Sequence, residues 1–160
     1  MRLNRSYLRL GFSMIEVLTV MVIFGVVVTL ALPKLVRLRD QGQLATAQNR
    51  FIRAVMAARQ AAIQRGKHAY FKTSNSDIWV ILDTTGINTD SVIITSKMNL
   101  GTEYGVSVTS PSGLTSIEYD PRGVSTQNTK QNFAFRHNTS GIVDSLCVSK
   151  LGNTIRDRCP

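Results

Sequence analysis

The sequence predicts an α+β protein: a long amino-terminal helix, one half membrane-spanning and the other amphipathic, packed on a small antiparallel β-sandwich head. Three observations carry that prediction. An apolar run, GFSMIEVLTVMVIFGVVVTLAL, extends from Gly11 to Leu32 behind a short basic leader. Apolar residues then recur at helical spacing as far as Arg65. After Gly66 the pattern changes to short β-branched and aromatic runs separated by turn residues.

Residues 1–11 form a leader holding Arg2, Arg5 and Arg9, with no acid among them. From Phe12 to Leu32 the only charge is Glu16. At 1.5 Å per residue such a helix reaches roughly 30 Å, about the thickness of a bilayer's hydrocarbon core. A carboxylate inside such a segment costs about 2.5–3.5 kcal/mol at the bilayer centre and less near an end, so a partner for Glu16 is expected. Residues 12–33 are therefore read as the membrane half of the helix. A secretory signal peptide cut nearer Ala31, or a plain anchor, would share the basic and apolar regions. The run is long for a signal peptide, and neither alternative needs Glu16.

Residues 34–66 continue the helix. Leu44, Phe51, Val55, Ala58 and Ala62 mark one face, widened by Ile52, Met56 and Ile63, while Arg50, Arg53 and Gln60 fall opposite. The alanine-rich segment AVMAARQAAIQRG has high helix propensity, and Gly66 is a natural stop. Residues 67–160 form the head. Strands are expected at 69–73, 78–82, 92–95, 104–109, 115–119, 132–136 and 145–149. Asp120-Pro121-Arg122-Gly123 is a turn, with proline presetting one dihedral and glycine accepting the next.

The net charge of +9 is unevenly spread. Residues 34–72 carry nine cations against Asp40 alone, whereas residues 73–160 are nearly neutral. The basicity belongs to the helix. Leader arginines predict a cytoplasmic amino terminus, with the head on the far side of the membrane. Cys147 and Cys159 fit that oxidising side as one disulfide, worth about 3 kcal/mol in the chain-entropy model; two unpaired thiols are the alternative.

Several segments resemble one family. Gly11-Phe12-Ser13-Met14-Ile15-Glu16 is similar to the processing site of type IV pilins and of type II secretion pseudopilins. The resemblance implies that a prepilin peptidase of the bacterial inner membrane cuts after Gly11. Phe12 is then N-methylated, and Glu16 pairs with the terminal amine of a neighbouring pilin or pseudopilin subunit. Pro33 sits where pilins carry a helix-kinking proline. Ala58-Arg59-Gln60-Ala61-Ala62-Ile63-Gln64-Arg65-Gly66 and Ile117-Glu118-Tyr119-Asp120-Pro121-Arg122-Gly123 resemble the GspH/FimT branch, minor subunits with β-rich heads. Gln60-Ala61 departs from the branch's usual Ser-Glu. The tail resembles the branch's glycine followed by a basic GRxR-like motif, but only Gly152 is in place: Asn153 replaces the first arginine, and Arg156 and Arg158 come later than the pattern puts them.

An enzymatic reading fares badly. His68 and His137 lack a recognisable nucleophile–acid arrangement, two cysteines and two histidines make no zinc pattern, and no glycine-rich phosphate loop is present, so no metal and no cofactor are expected. The expected function is that of a minor pilin of a type IV pilus, assembling through its amino-terminal helix. DNA binding through Lys150, Arg156 and Arg158 for natural transformation is the alternative to a purely structural role, with Arg122, Lys130 and Arg136 as possible extensions of that patch. Double-stranded DNA would be held without sequence reading. A minor pseudopilin of the H type in a type II secretion system, with no DNA binding, is the alternative assignment.

Overall fold

The computed structural model describes residues 13–84, 91–111, 113–127 and 130–156. Helix α1 runs from Met14 to Arg65 with Pro33 inside it. Proline removes one backbone donor from the ladder, yet the helix continues through it. It ends as the composition predicts: Gly66 is left-handed at φ 61°, and the Lys67 amide donates back to the Ala62 carbonyl at 3.3 Å. That is a Schellman closure, which glycine makes without a Cβ penalty.

The chain divides at Leu38 into two compact units. In the first, the described residues are helical from Met14 onward, and all are exposed except the half-buried Val28. The second unit begins at Arg39 and holds the rest of α1 and the head.

The head contains two four-stranded antiparallel sheets. The first comprises β1 (Ala69–Ser74), β2 (Asp77–Asp83), β3 (Ser91–Asn99) and β5 (Ser116–Tyr119), in the order β3-β2-β1-β5. The second comprises β4 (Val106–Thr109), β6 (Gln131–His137), β7 (Val143–Val148) and β8 (Thr154–Arg156), in the order β4-β6-β7-β8. Between β1 and β2, Asn75 and Ser76 both take positive φ, 48° and 69°, as a two-residue hairpin turn requires. The unusual serine has a reason. Its hydroxyl accepts from the Val108 amide of β4 at 3.1 Å, and its carbonyl accepts from the Leu100 amide at 2.9 Å, so the turn ties one sheet to the other.

Phe51 of α1 sits at the centre of the core and is fully buried. Its ring meets Phe71 of β1 at 4.7 Å, and Phe133 and Phe135 of β6 at 4.8 and 5.2 Å between centroids. One helical side chain therefore joins both sheets. Leu44, Val55, Ala58 and Ala62 are buried with it, as the periodicity predicts. Of the three residues expected to widen that face, Ile52 is half-buried against the core, and the other two are corrected. Met56 and Ile63 are 45% and 49% exposed, while Ala47, Gln48, Ala54 and Ala61 are buried in their place. Close approach of the sheets favours small residues on this side of the helix, and five of its ten buried residues are alanines.

Two elements depart from the expected pattern. Residues 104–109 do not form one strand: Leu100–Tyr104 is a short helix, α2. Asn99 caps it, its side-chain oxygen accepting from the Thr102 amide at 2.8 Å, and Gly105 closes it at φ 64°. The left-handed residue delays β4 to Val106. Strand β8 was not anticipated; at three residues it is too short to leave a period in sequence.

Candidate functional site

The first candidate region is the start of α1. The carbonyl of Ser13 accepts from the amides of Glu16 and Val17 at 3.0 and 3.2 Å, which makes Ser13 the cap and Glu16 the third helical residue. Ser-x-x-Glu is the spacing of a capping box, and a carboxylate there also suits the positive end of the helix. The Thr19 hydroxyl bonds back to the Ile15 carbonyl. Glu16 is exposed, as are Met14, Ile15, Leu18, Val20, Met21 and the apolar residues that follow. The described residues contain one helix long and apolar enough to cross a membrane, and this is its apolar part. Gly11 and Phe12, the expected processing residues, lie outside the described residues.

The second region is where the head's motifs meet. Arg59 of α1 donates from Nε to the Gly123 carbonyl at 3.1 Å. Gly123 closes the Asp120 turn, its amide bonding the Asp120 carbonyl at 2.8 Å. Its φ is 75°, and a Cβ there would stand 2.6 Å from Ile63 Cδ1 and 3.3 Å from Arg59 Cγ. Gly152, at φ 71°, lies on the same arginine: a Cβ would stand 3.2 Å from Arg59 Cδ and 3.2 Å from the Tyr119 hydroxyl. Tyr119 is fully buried, and burial pushes its hydroxyl up to about 12 against the opposing pull of Arg59. The helix segment around Arg59, the strand-turn from Ile117 to Gly123 and the tail glycine thus form one packed cluster. Their spacing in sequence gave no hint of that convergence.

Asp120 is the turn's polar centre. Its Oδ1 accepts from the amides of Arg122 and Val124 at 3.0 and 2.9 Å, and its Oδ2 from Arg122 Nε at 2.9 Å. The Val124 amide, and then the Arg122 side chain, hold its carboxyl below the usual aspartate range.

Of the tail cations, Lys150 and Arg156 fall within the described residues. Arg156 ends β8 opposite Leu146, and its Nη2 donates to Asn49 Oδ1 on α1 at 2.7 Å. Lys150 is exposed in the turn after β7, its carbonyl accepting from the Ser125 amide at 2.8 Å. Cys147 is buried on β7 and is not a free thiol; Arg158 and Cys159 lie outside the described residues. Arg122 pairs with Asp120 in its own turn. Arg136 is exposed on β6.

Both histidines are held by neighbouring polar side chains. His68 Nδ1 lies 2.9 Å from Glu118 Oε1, which also accepts from the Tyr70 hydroxyl at 3.1 Å. Burial, followed by the Glu118 charge, pushes the Tyr70 hydroxyl up to about 12. His137 is buried with Nε2 on Gln43 at 3.0 Å and Nδ1 on the Ser140 hydroxyl at 2.9 Å. Both nitrogens are occupied, and Asp40 stands 3.8 Å away. With Gln48 donating to Asp144 at 2.8 Å, these groups form a polar seam that fastens α1 to the second sheet.

An exposed apolar helix start bearing one carboxylate, followed by a helix packed on a two-sheet head, defines a pilin-type subunit. More specifically, the chain belongs to the GspH family of minor pilin-like subunits: the family model described as type II transport protein GspH matches residues 47–152. The match takes in Arg59, Tyr119, Gly123 and Gly152 and stops before Arg156. Two crystal structures of the Pseudomonas aeruginosa type IV minor pilin FimU share the fold. One has a TM-score of 0.60 at 14% identity, covering 74% of this chain and 91% of that one. The other has a TM-score of 0.55 at 14% identity, covering 71% and 92%. No curated protein matches the chain. The family is one of structural subunits and not of enzymes.

Proposed function

We propose that the chain is a minor subunit of a type IV pilus, held in the bacterial inner membrane by residues 12–33 and assembled into the filament through that helix. The observation that carries the reading is the run of exposed apolar side chains from Met14 to Leu38 with Glu16 as its only acid. Water is an unsuitable surrounding for such a surface; lipid covers it before assembly and neighbouring helices cover it afterwards. Once surrounded by apolar groups, an unpaired carboxylate is costly. The amine of a neighbour, freed by cleavage between Gly11 and Phe12 and then methylated, would neutralise Glu16 and set the axial register. The bridge from Cys147 to Cys159 would tie down the tail.

A secretion pseudopilus is the competing assembly, since the family model carries a type II transport description. DNA contact by the tail has less support, because Arg156 is engaged with Asn49 and lies beyond the family match. The experiment is Glu16→Ala in the producing cell. The variant is expected in the membrane fraction at wild-type level but absent from sheared filaments. Normal incorporation would overturn the proposal. Deleting the pilus assembly ATPase and the secretion ATPase in turn identifies which filament takes the chain up.

A further inference from the structure

A seam between the later part of α1 and strand β3 has features that the assembly helix does not explain. Among the described residues β3 is an edge strand, and Val92, Ile93 and Ile94 are exposed in succession at 56%, 63% and 42%. Alternation would bury every second side chain. It fails here because Val80 pairs with Thr95 while Ile81 pairs with Ile93, leaving Ile94 as an extra residue. Beside these residues lies a cavity of about 380 Å³ reaching Ala61 and Arg65 of α1. A second cavity, about 190 Å³, lies between Arg50, Arg53 and the far end of β3. The seam is thus apolar along its floor, with three arginines at its margin. None of the three makes an ion pair among the described residues.

We propose that this seam is the docking surface for an acidic, apolar-sided segment of a different filament subunit. The inference rests on the filament reading above and names its partner's chemistry. Charge decides between a different subunit and a second copy. Laying another copy's α1 along the seam would set arginines against arginines, since residues 34–72 hold nine cations and one acid. Four of this chain's ten acids are also committed elsewhere: Asp77 to Lys97, Asp120 to Arg122, Glu118 to His68 and Asp144 to Gln48. A partner with unpaired carboxylates flanking apolar side chains would satisfy both floor and margin. The three apolar side chains of β3 would fill the role of buried anchors, and the arginines would steer approach and fix register.

The test uses the full-length chain in detergent micelles, titrated separately with each purified full-length pilin encoded in the same filament system. The variants are Ile93→Ser, Arg53→Glu and, as a control on the other sheet, Val143→Ser, which alters an equally exposed side chain. One partner is expected to bind, with affinity falling about tenfold or more for Ile93→Ser and for Arg53→Glu but not for Val143→Ser. An acidic-to-arginine change on the partner should restore binding to Arg53→Glu. The thermal midpoints of the variants report whether each has folded, and the two single changes act through different chemistry. Binding that is indifferent to both would overturn the seam while leaving subunit assembly through Glu16 standing. Self-association of the chain lost in Ile93→Ser, or binding only to anionic vesicles lost in Arg53→Glu, would overturn the assigned occupant. Absence of binding by every pilin tested would overturn the proposal.

Discussion

Phe51→Ala tests the claim that one helical side chain holds the head together. The ring is fully buried and touches three other phenylalanines, two of them on the second sheet and one on the first. Removing a buried phenylalanine costs about 3–5 kcal/mol in transfer and cavity terms. The lost aromatic pairs, each worth about 0.5–1.5 kcal/mol beyond their area, place this site in the upper part of that range. A domain of this size has a total stability of only about 5–15 kcal/mol. At roughly 4 °C per kcal/mol, a loss of 4–5 kcal/mol lowers the midpoint by about 16–20 °C. Phe51→Leu keeps most of the volume but loses the ring pairs, and should cost about 1–2 kcal/mol. Trp79, the single tryptophan, lies in β2 of the first sheet with Lys97 Nζ 5.3 Å from its ring centroid, so its fluorescence reports the head's unfolding. Thermal and urea unfolding of the full chain in micelles would give both numbers. A loss below about 1 kcal/mol for Phe51→Ala, or equal losses for alanine and leucine, would refute the central role of the ring.

The other predictions concern the motifs. Gly123→Ala meets Ile63 and Arg59 and takes a left-handed conformation that costs an L-residue about 1–2 kcal/mol, so the head should lose about 2–3 kcal/mol; an unchanged urea midpoint would contradict the packing. Asp120 has a depressed carboxyl when folded, so its contribution is complete above the unfolded value near ~3.9 and is lost as pH falls from there through the lower folded value. Unfolding midpoints measured from about pH 6 down to about pH 2 should therefore decline less in Asp120→Asn than in wild type. Arg156→Ala should cost the head a fraction of a kcal/mol, about that of one exposed charge-assisted hydrogen bond, by releasing Asn49. In a salt titration with double-stranded DNA the same variant should leave the log–log slope unchanged. A slope shallower by about 0.9 would show one phosphate contact and favour the DNA-uptake reading.

Much of the architecture was legible because it depends on local physics. The run from Phe12 to Leu32 is apolar enough to read without a partner, and Leu44, Phe51, Val55, Ala58 and Ala62 repeat at the helical period. Gly66 and the Asp120–Gly123 turn follow from the dihedral freedom of glycine and the restriction of proline. The strands were visible where four or more β-favouring residues stood together, and most lie within two residues of the expected bounds. Asn99 and Gly105 could have announced α2 as a cap and a left-handed stop, but five residues leave too little periodicity for the signal to stand out.

What the sequence by itself determined was the set of elements and the chemistry of the amino-terminal helix, because hydrophobic period, capping and glycine conformation act over a few residues. Tertiary structure alone decided which elements meet. It placed Phe51 between two sheets, drew Arg59, Tyr119, Gly123 and Gly152 into one cluster, turned Arg156 onto Asn49 and left Val92, Ile93 and Ile94 uncovered on an edge. Those pairings join residues far apart in the chain, and no local pattern encodes them. They are selected only when the sheets pack, by how much apolar surface each arrangement buries and which polar groups it leaves paired.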